Sequence, residues 1–173
     1  MISTFKYIKN YNIYTESNDI LKYQAYARTL IKYIRANDID SIKKYIDNNN
    51  NINYRNSNGE TPLMYAVYIK NIDIIKLLLD NNANVNINDI NNNTVLQFIS
   101  NYLITSNSTN ISDFDNILQK SNTWNKKNTN GDDFIDILKK HKNYNTIIKY
   151  IINNHHIKYN SYLNKKTINN FNI

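Results

Sequence analysis

Thr61-Pro62-Leu63-Met64-Tyr65-Ala66 begins two residues after Gly59 and opens the stretch that decides the fold. From there the chain runs to Asn71-Ile72-Asp73-Ile74-Ile75-Lys76-Leu77-Leu78-Leu79 and leaves through Asn82-Ala83-Asn84-Val85-Asn86. Gly59 suits a tight turn, because glycine alone adopts a positive φ without strain. The Thr61 hydroxyl is placed to cap a helix, and Pro62 fits a first helical turn, where no N–H partner is needed. Leu63 and Ala66 share one helix face, and the small Ala66 lets a neighbouring helix approach. Ile72, Ile75, Leu78 and Leu79 recur at helical spacing and predict a buried stripe on a second helix. Asn81-Asn82 then predicts a left-handed stop.

A shift of 33 residues tests whether this unit repeats. Upstream, Leu30, Ile39, Asp40, Ile42, Asp47 and Asn53 fall opposite Leu63, Ile72, Asp73, Ile75, Asp80 and Asn86. Downstream, Thr94 and Leu96 fall opposite Thr61 and Leu63, while Val95 replaces Pro62 and Asn92 replaces Gly59. The last exchange is mild, since Asn is the next-best residue at positive φ. Past Leu103 the register slips by six residues, after which Ile111, Trp124 and Gly131 match Ile72, Val85 and Gly59. An insertion near Ser106–Thr109 is expected there.

The turn with Gly59, the Thr61-Pro62-Leu63 and Ala66 helix start, the Leu-rich second helix and the Ala83-x-Val85-Asn86 exit resemble the ankyrin repeat. The resemblance covers Thr29 to Asn153 and is strongest over Asn53–Ile99. It implies an all-α solenoid of about four helix-turn-helix repeats with degenerate terminal caps. The expected organisation is one domain: an N-terminal helix or cap at 1–18, repeats at 19–55, 56–88, 89–127 and 128–156, and a C-terminal cap or tail at 157–173. Degenerate ends are expected, because only a terminal repeat turns one stacking side to solvent. Helices are expected at Ile2–Tyr11, Asp19–Ala36, Ile39–Asp47, Thr61–Ile69, Ile72–Asn81, Thr94–Thr105, Ser112–Ser121, Asp132–Lys142 and Tyr144–Asn153, with a break at Thr15–Asp19.

About a fifth of the residues are Asn, and Ile, Lys and Tyr are also in excess, all with A/T-rich codons. An A/T-rich genome, of the kind found in some viruses and host-associated bacteria, accounts for this. Codon bias toward Lys also accounts for the formal charge of +7 and the isoelectric point near 9.3. The Asn runs Asn48–Asn51 and Asn91–Asn93 fall between the expected helices, where Asn is turn chemistry. Cysteine is absent, which excludes disulfides and thiolate metal sites and fits a reducing compartment. No apolar core of signal-peptide length opens the chain, and no run of about 18 apolar residues exists. A soluble monomer in a cytoplasm is expected, a host cytosol if the source is a virus or an exported bacterial effector.

Catalytic chemistry finds little support. The chain has three histidines; His155-His156 are adjacent, cannot share a helix face, and have no nearby carboxylate in sequence. Asp113-x-Asp115 and Asp132-Asp133 suit the positive ends of helix dipoles. Two glycines cannot build a phosphate loop. No enzyme, no cofactor and no metal is expected.

What the resemblance implies instead is a concave face of hairpin tips and inner-helix surface that binds a partner protein. Carried over position by position, the tips are Arg55, Ser57, Asn58, Glu60, Asn88, Ile90, Asn91 and Asn93. The exposed inner-helix positions are Tyr68, Ile69, Asn101 and Tyr102. Arg55, Tyr68 and Tyr102 are the sharpest candidates, since Tyr and Arg dominate binding hot spots. The competing reading is that such tyrosines only reflect a Tyr-rich composition. Asn53 and Asn86 resemble asparagines hydroxylated in some family members of animal cells. A second function class is a basic stripe of Lys43-Lys44, Lys126-Lys127, Lys139-Lys140 and Lys165-Lys166 that binds nucleic acid or an acidic surface. These pairs are dispersed over different units, with no aromatic-interleaved cluster. Some poxvirus relatives carry a C-terminal F-box-like segment, a pattern that Ile157–Ile173 lacks.

Overall fold

Among the described residues, Asp38, Thr61, Asn71 and Asp133 each start a helix with a side-chain cap. The computed structural model describes residues 28–171, with side chains to Leu163. The expected helix at Ile2–Tyr11, the break at Thr15–Asp19 and the first part of Asp19–Ala36 lie outside the described residues.

Helix α1 is described over 28–35. It is followed by α2 (Ile39–Asp47), α3 (Pro62–Tyr68), α4 (Ile72–Asp80) and α5 (Val95–Ser106). A short 3-10 turn, Ile111–Phe114, leads into α6 (Asp115–Lys120), and α7 (Phe134–Leu138), α8 (Tyr144–Asn154) and α9 (His156–Phe171) complete the order. Helix α3 packs on α4 within its own unit and on α5 of the next, and α5 packs in turn on α7. The inner helices therefore form a row, with an outer row behind it. One continuous apolar core, from Leu30 to Tyr162, runs through the stack.

Thr61 accepts from the Met64 N–H at 3.2 Å. Asp133 does the same work for α7, accepting from the Asp136 N–H at 2.9 Å. The fourth unit thus keeps its cap although Asp and Phe stand where Thr and Pro stand in the second. Left-handed residues close the turns: Asn82 has φ +66°, Asn49 +55° and Asn92 +59°, the last in the place of Gly59. The stripe on α4 is shifted from expectation. Ile74, Ile75, Leu78 and Leu79 are buried while Ile72 is half-buried, because two i,i+4 pairs, not one line, meet the neighbouring units.

Three expectations need correction. The inner helix expected over Asp132–Lys142 is only Phe134–Leu138. The outer helix expected at Ser112–Ser121 begins as the 3-10 turn at Ile111. The six-residue slip is not an inserted loop at Ser106–Thr109. Helix α5 has 12 residues against 7 for α3, and the linker 107–110 is one residue longer than 69–71. The extra length is almost all helix, packed through Leu103. For 157–173, expected as a cap or a tail, the described part is helical. Helix α9 packs on α8, and the buried Tyr162 sends its hydroxyl to the Asp133 carboxylate at 3.3 Å, covering the end of the stack.

Gly59 and Gly131 occupy matching turns, with φ +76° and +80°, yet their surroundings differ. A Cβ on Gly59 would meet Ile90 N at 2.8 Å and Arg55 Nη2 at 2.7 Å; one on Gly131 would meet nothing within 4 Å. Gly131→Ala is therefore expected to cost about 1 kcal/mol, the backbone strain alone. Gly59→Ala is expected to cost clearly more, about 2 kcal/mol or above, since strain and collision add. Urea unfolding of the two variants checks this, and equal losses would overturn it.

Candidate partner-binding face

The tips of the second, third and fourth units are each organised from the inside by one acceptor, at a position the sequence reading did not single out. Asn56 accepts from the Asn58 and Glu60 N–H groups, both at 2.9 Å. Asp89, buried, accepts from the Asn91 and Asn93 N–H groups, both at 2.8 Å. Asn128 accepts from Asn130 and Asp132, both at 3.0 Å. The signal was present: each acceptor stands three residues before Gly59, Asn92 or Gly131.

Consecutive tips are joined through backbone. Ile90 N–H donates to Asn58 O at 3.0 Å, and Thr129 N–H donates to Asn91 O at 2.9 Å. Farther back, Asn53 Oδ1 accepts from the Asn84 N–H at 2.7 Å, and Asn86 Oδ1 accepts from the Asn122 N–H at 3.0 Å. Both of these asparagines thus brace one unit against the next.

The twelve candidate residues divide evenly. Arg55, Glu60, Ile69, Asn88, Asn93 and Tyr102 are half-buried; Ser57, Asn58, Tyr68, Ile90, Asn91 and Asn101 are exposed. The half-buried group works within the stack. Arg55 Nε donates to Gly59 O at 3.0 Å and braces that turn. Glu60 accepts from Asn56 Nδ2 at 2.7 Å. Asn88 accepts from Lys126 Nζ at 2.6 Å, and Asn93 accepts from Asn128 Nδ2 at 3.0 Å. Ile69 packs against the core. Tyr102, expected to be exposed, turns its ring edge-on to Phe114 at 5.3 Å, because the lengthened unit brings Phe114 beside it. Tyr68 and Ile90, at 68% and 57% exposure, are the two large apolar side chains of the twelve that face solvent.

Beside the third and fourth tips lies a cleft of about 520 Å³. Asn91, Asn93 and Asn101 line it together with Ile104, Asn128, Thr129, Asn130, Asp132, Ile137 and Lys140. Ile104 reaches it only because α5 is long, so the helix extension forms one wall. Lys140 and Asp132 pair at 2.7 Å at its edge.

Three lysines of the basic stripe are engaged locally. Lys126 is held by Asn88, Lys139 by Asp136 at 3.1 Å and Lys140 by Asp132. Lys43 and Lys44 lie exposed on α2, and the side chains of Lys165 and Lys166 lie outside those described. His155, which lacks a neighbouring carboxylate in sequence, has one in space: its Nε2 stands 2.8 Å from Asp115 Oδ1. Tyr150 donates to Asp115 Oδ2 at 2.6 Å, and this bond, followed by burial, pushes the Tyr150 hydroxyl up to about 12. The trio ties the start of α6 to the end of α8. Among the described residues no group of three or more His, Cys, Asp or Glu is placed to hold a metal ion, and no helix is long and apolar enough to cross a membrane.

The family model for ankyrin repeats matches residues 30–114 in three copies. No curated protein matches the chain. The match ends in the 3-10 turn, and the fourth unit continues the same pattern through Asn128, Gly131 and the Asp133 cap. Stacked helix pairs, joined tips and matched copies agree: the chain is an ankyrin-repeat protein, an all-α solenoid of a family whose repeats generally mediate protein–protein interaction.

Proposed function

We propose that this chain is a non-enzymatic adaptor that binds a partner protein through its hairpin tips and the exposed sides of α3 and α5. The observation that supports this most is the division of the candidate residues. Once the stack has satisfied its own hydrogen bonds, Ser57, Asn58, Tyr68, Ile90, Asn91 and Asn101 remain exposed, and Asn91 and Asn101 line the cleft. Tyr68 offers a stiff, amphipathic surface of the kind that anchors interfaces. The carboxamides of Asn91 and Asn101 offer both donors and acceptors to a polypeptide main chain. The chain acts as a monomer in a cytosol, a host cytosol if it comes from a virus or a bacterial effector, and its lack of cysteine suits that compartment.

Affinity capture from lysate of the source or host cell, with and without nuclease, tests the reading. Tyr68→Ala/Asn101→Ala is expected to lose a nuclease-resistant protein that Lys76→Ala, an exposed change on the outer helix α4, retains. Arg55→Ala is a poor test, since it also loosens the Gly59 turn. Recovery that nuclease abolishes and the double variant leaves intact would turn the argument toward nucleic acid.

A further inference from the structure

The ends of the inner helices carry a row of alternating cations and aromatic rings that the sequence reading did not identify. Arg35, at the end of α1, lies over the Tyr65 ring with its guanidinium carbon 5.1 Å from the centroid, and its Nε donates to the Tyr65 hydroxyl at 2.6 Å. Tyr65 and Tyr68 rings stand 6.0 Å apart on α3. Lys70, just after α3, holds its ammonium 5.5 Å from the centre of the Tyr102 ring on α5. Each cation thus reaches forward over an aromatic ring of the following unit. The row spans three units, and the exposed Tyr68 belongs to it through its contact with Tyr65.

Neither cation has a carboxylate within 4 Å among the described residues. The carboxylates of the tips are already engaged: Glu60 by Asn56, Asp89 by Asn91 and Asn93, Asp132 by Lys140. Arg35 and Lys70 are thus two exposed cations without an ion-pair partner among the described residues. Arg35 has four further N–H donors beyond the one on Tyr65, and Lys70 has three. Lys70 also has φ +65°, a conformation that suits Gly or Asn far better than Lys, so local backbone preference does not explain a lysine there.

We propose that this row receives an acidic peptide segment: side-chain carboxylates settle against Arg35 and Lys70 while Tyr68 packs on the same segment. The proposal deepens the protein-binding reading above and rests on it. Charge complementarity argues for it, since carboxylates would complete the donors of both cations and the rings hold those cations in place. A nucleic-acid strand fits less well. It would need phosphate contacts along the stack, whereas the lysines of the neighbouring fourth unit, Lys139 and Lys140, are neutralised by Asp136 and Asp132.

Fluorescence anisotropy on the full chain tests this with three labelled probes: an alternating Asp-Ser peptide, its Asn-Ser counterpart and oligo-dT. The Asp-Ser peptide is expected to bind best, with an affinity that falls as salt rises. Arg35→Gln and Lys70→Asn are each expected to weaken it by about three- to tenfold. Lys70→Asn also removes the backbone strain, so it is expected to unfold no earlier than wild type while binding less. A merely structural lysine would give the opposite pattern. Equal binding of the Asn-Ser peptide, tighter binding of oligo-dT, no binding of the Asp-Ser peptide, or unchanged affinity in both variants would each overturn the proposal. The capture experiment keeps the two readings apart. A partner lost with Tyr68→Ala/Asn101→Ala but retained with Arg35→Gln and Lys70→Asn removes the acidic segment and leaves protein binding standing.

Discussion

Phe134→Ala is expected to release the last unit and its covering helix while the second unit stays folded, at a cost of about 3–5 kcal/mol. Phe134 is fully buried and stands edge-on to Trp124, with ring centroids 5.4 Å apart. Its own carbonyl accepts from Ser100 Oγ at 3.0 Å, so the same residue ties α7 to α5 through ring and backbone together. Removing the ring leaves a cavity between Trp124 and the neighbouring helix, and α7 has only five residues with which to close it. Units in a solenoid contact only their neighbours, so the loss stays local and need not spread. Hydrogen exchange reads this directly: amides of 134–162 should exchange faster and those of 62–80 should not. A uniform shift of the whole chain by less than about 1 kcal/mol would show that the ring is not holding that end together.

Gln97→Leu is expected to cost about 3 kcal/mol, and Met64→Leu, at the matching position one unit earlier, less than about 1.5. Gln97 is completely buried. Its Oε1 accepts from the Thr94 N–H at 2.9 Å and the Thr94 hydroxyl at 2.6 Å, while its Nε2 donates to Lys126 O at 2.7 Å in the next unit. Leucine fills much of the same space but leaves the buried Thr94 N–H and the half-buried Lys126 carbonyl without this partner, and a buried orphan costs about 1–3 kcal/mol. Met64 sulfur accepts only a weak bond from the Thr61 N–H, at 3.4 Å. Urea unfolding of the pair measures the difference. Equal losses would mean that the glutamine acts by volume and not by hydrogen bonding.

That pair also shows where the sequence was informative. Gly59, Thr61, Pro62 and the apolar stripe after Asn71 each obey a local rule of turn, cap or helix spacing, and the recurrence of part of the pattern at 33 residues, Leu30, Leu63 and Leu96 or Thr61 and Thr94, pointed to the stack. Asp133 replaced Thr61 in the same role because either oxygen can accept the same N–H. Contacts between units were harder to read. Gln97 crossing to Lys126, Arg35 lying over Tyr65 and Tyr102 turning to Phe114 depend on which unit neighbours which and on the length of α5. Candidate positions for a binding face could be chosen from the repeat, but a position does not tell whether its side chain is already occupied. Arg55 looked like a free hot spot until Gly59 O was seen to hold it.

The uneven length of α5 has a consequence for how the chain finds its shape. Linear arrays of like units can pair out of step, each unit docking one place too early and trapping a shortened or intertwined stack. Here a 12-residue helix sits between inner helices of 7 and 5. A unit docked one place off would leave Phe114 without Tyr102 and Ile104 without its cleft, so the third unit acts as an address that only correct assembly can match.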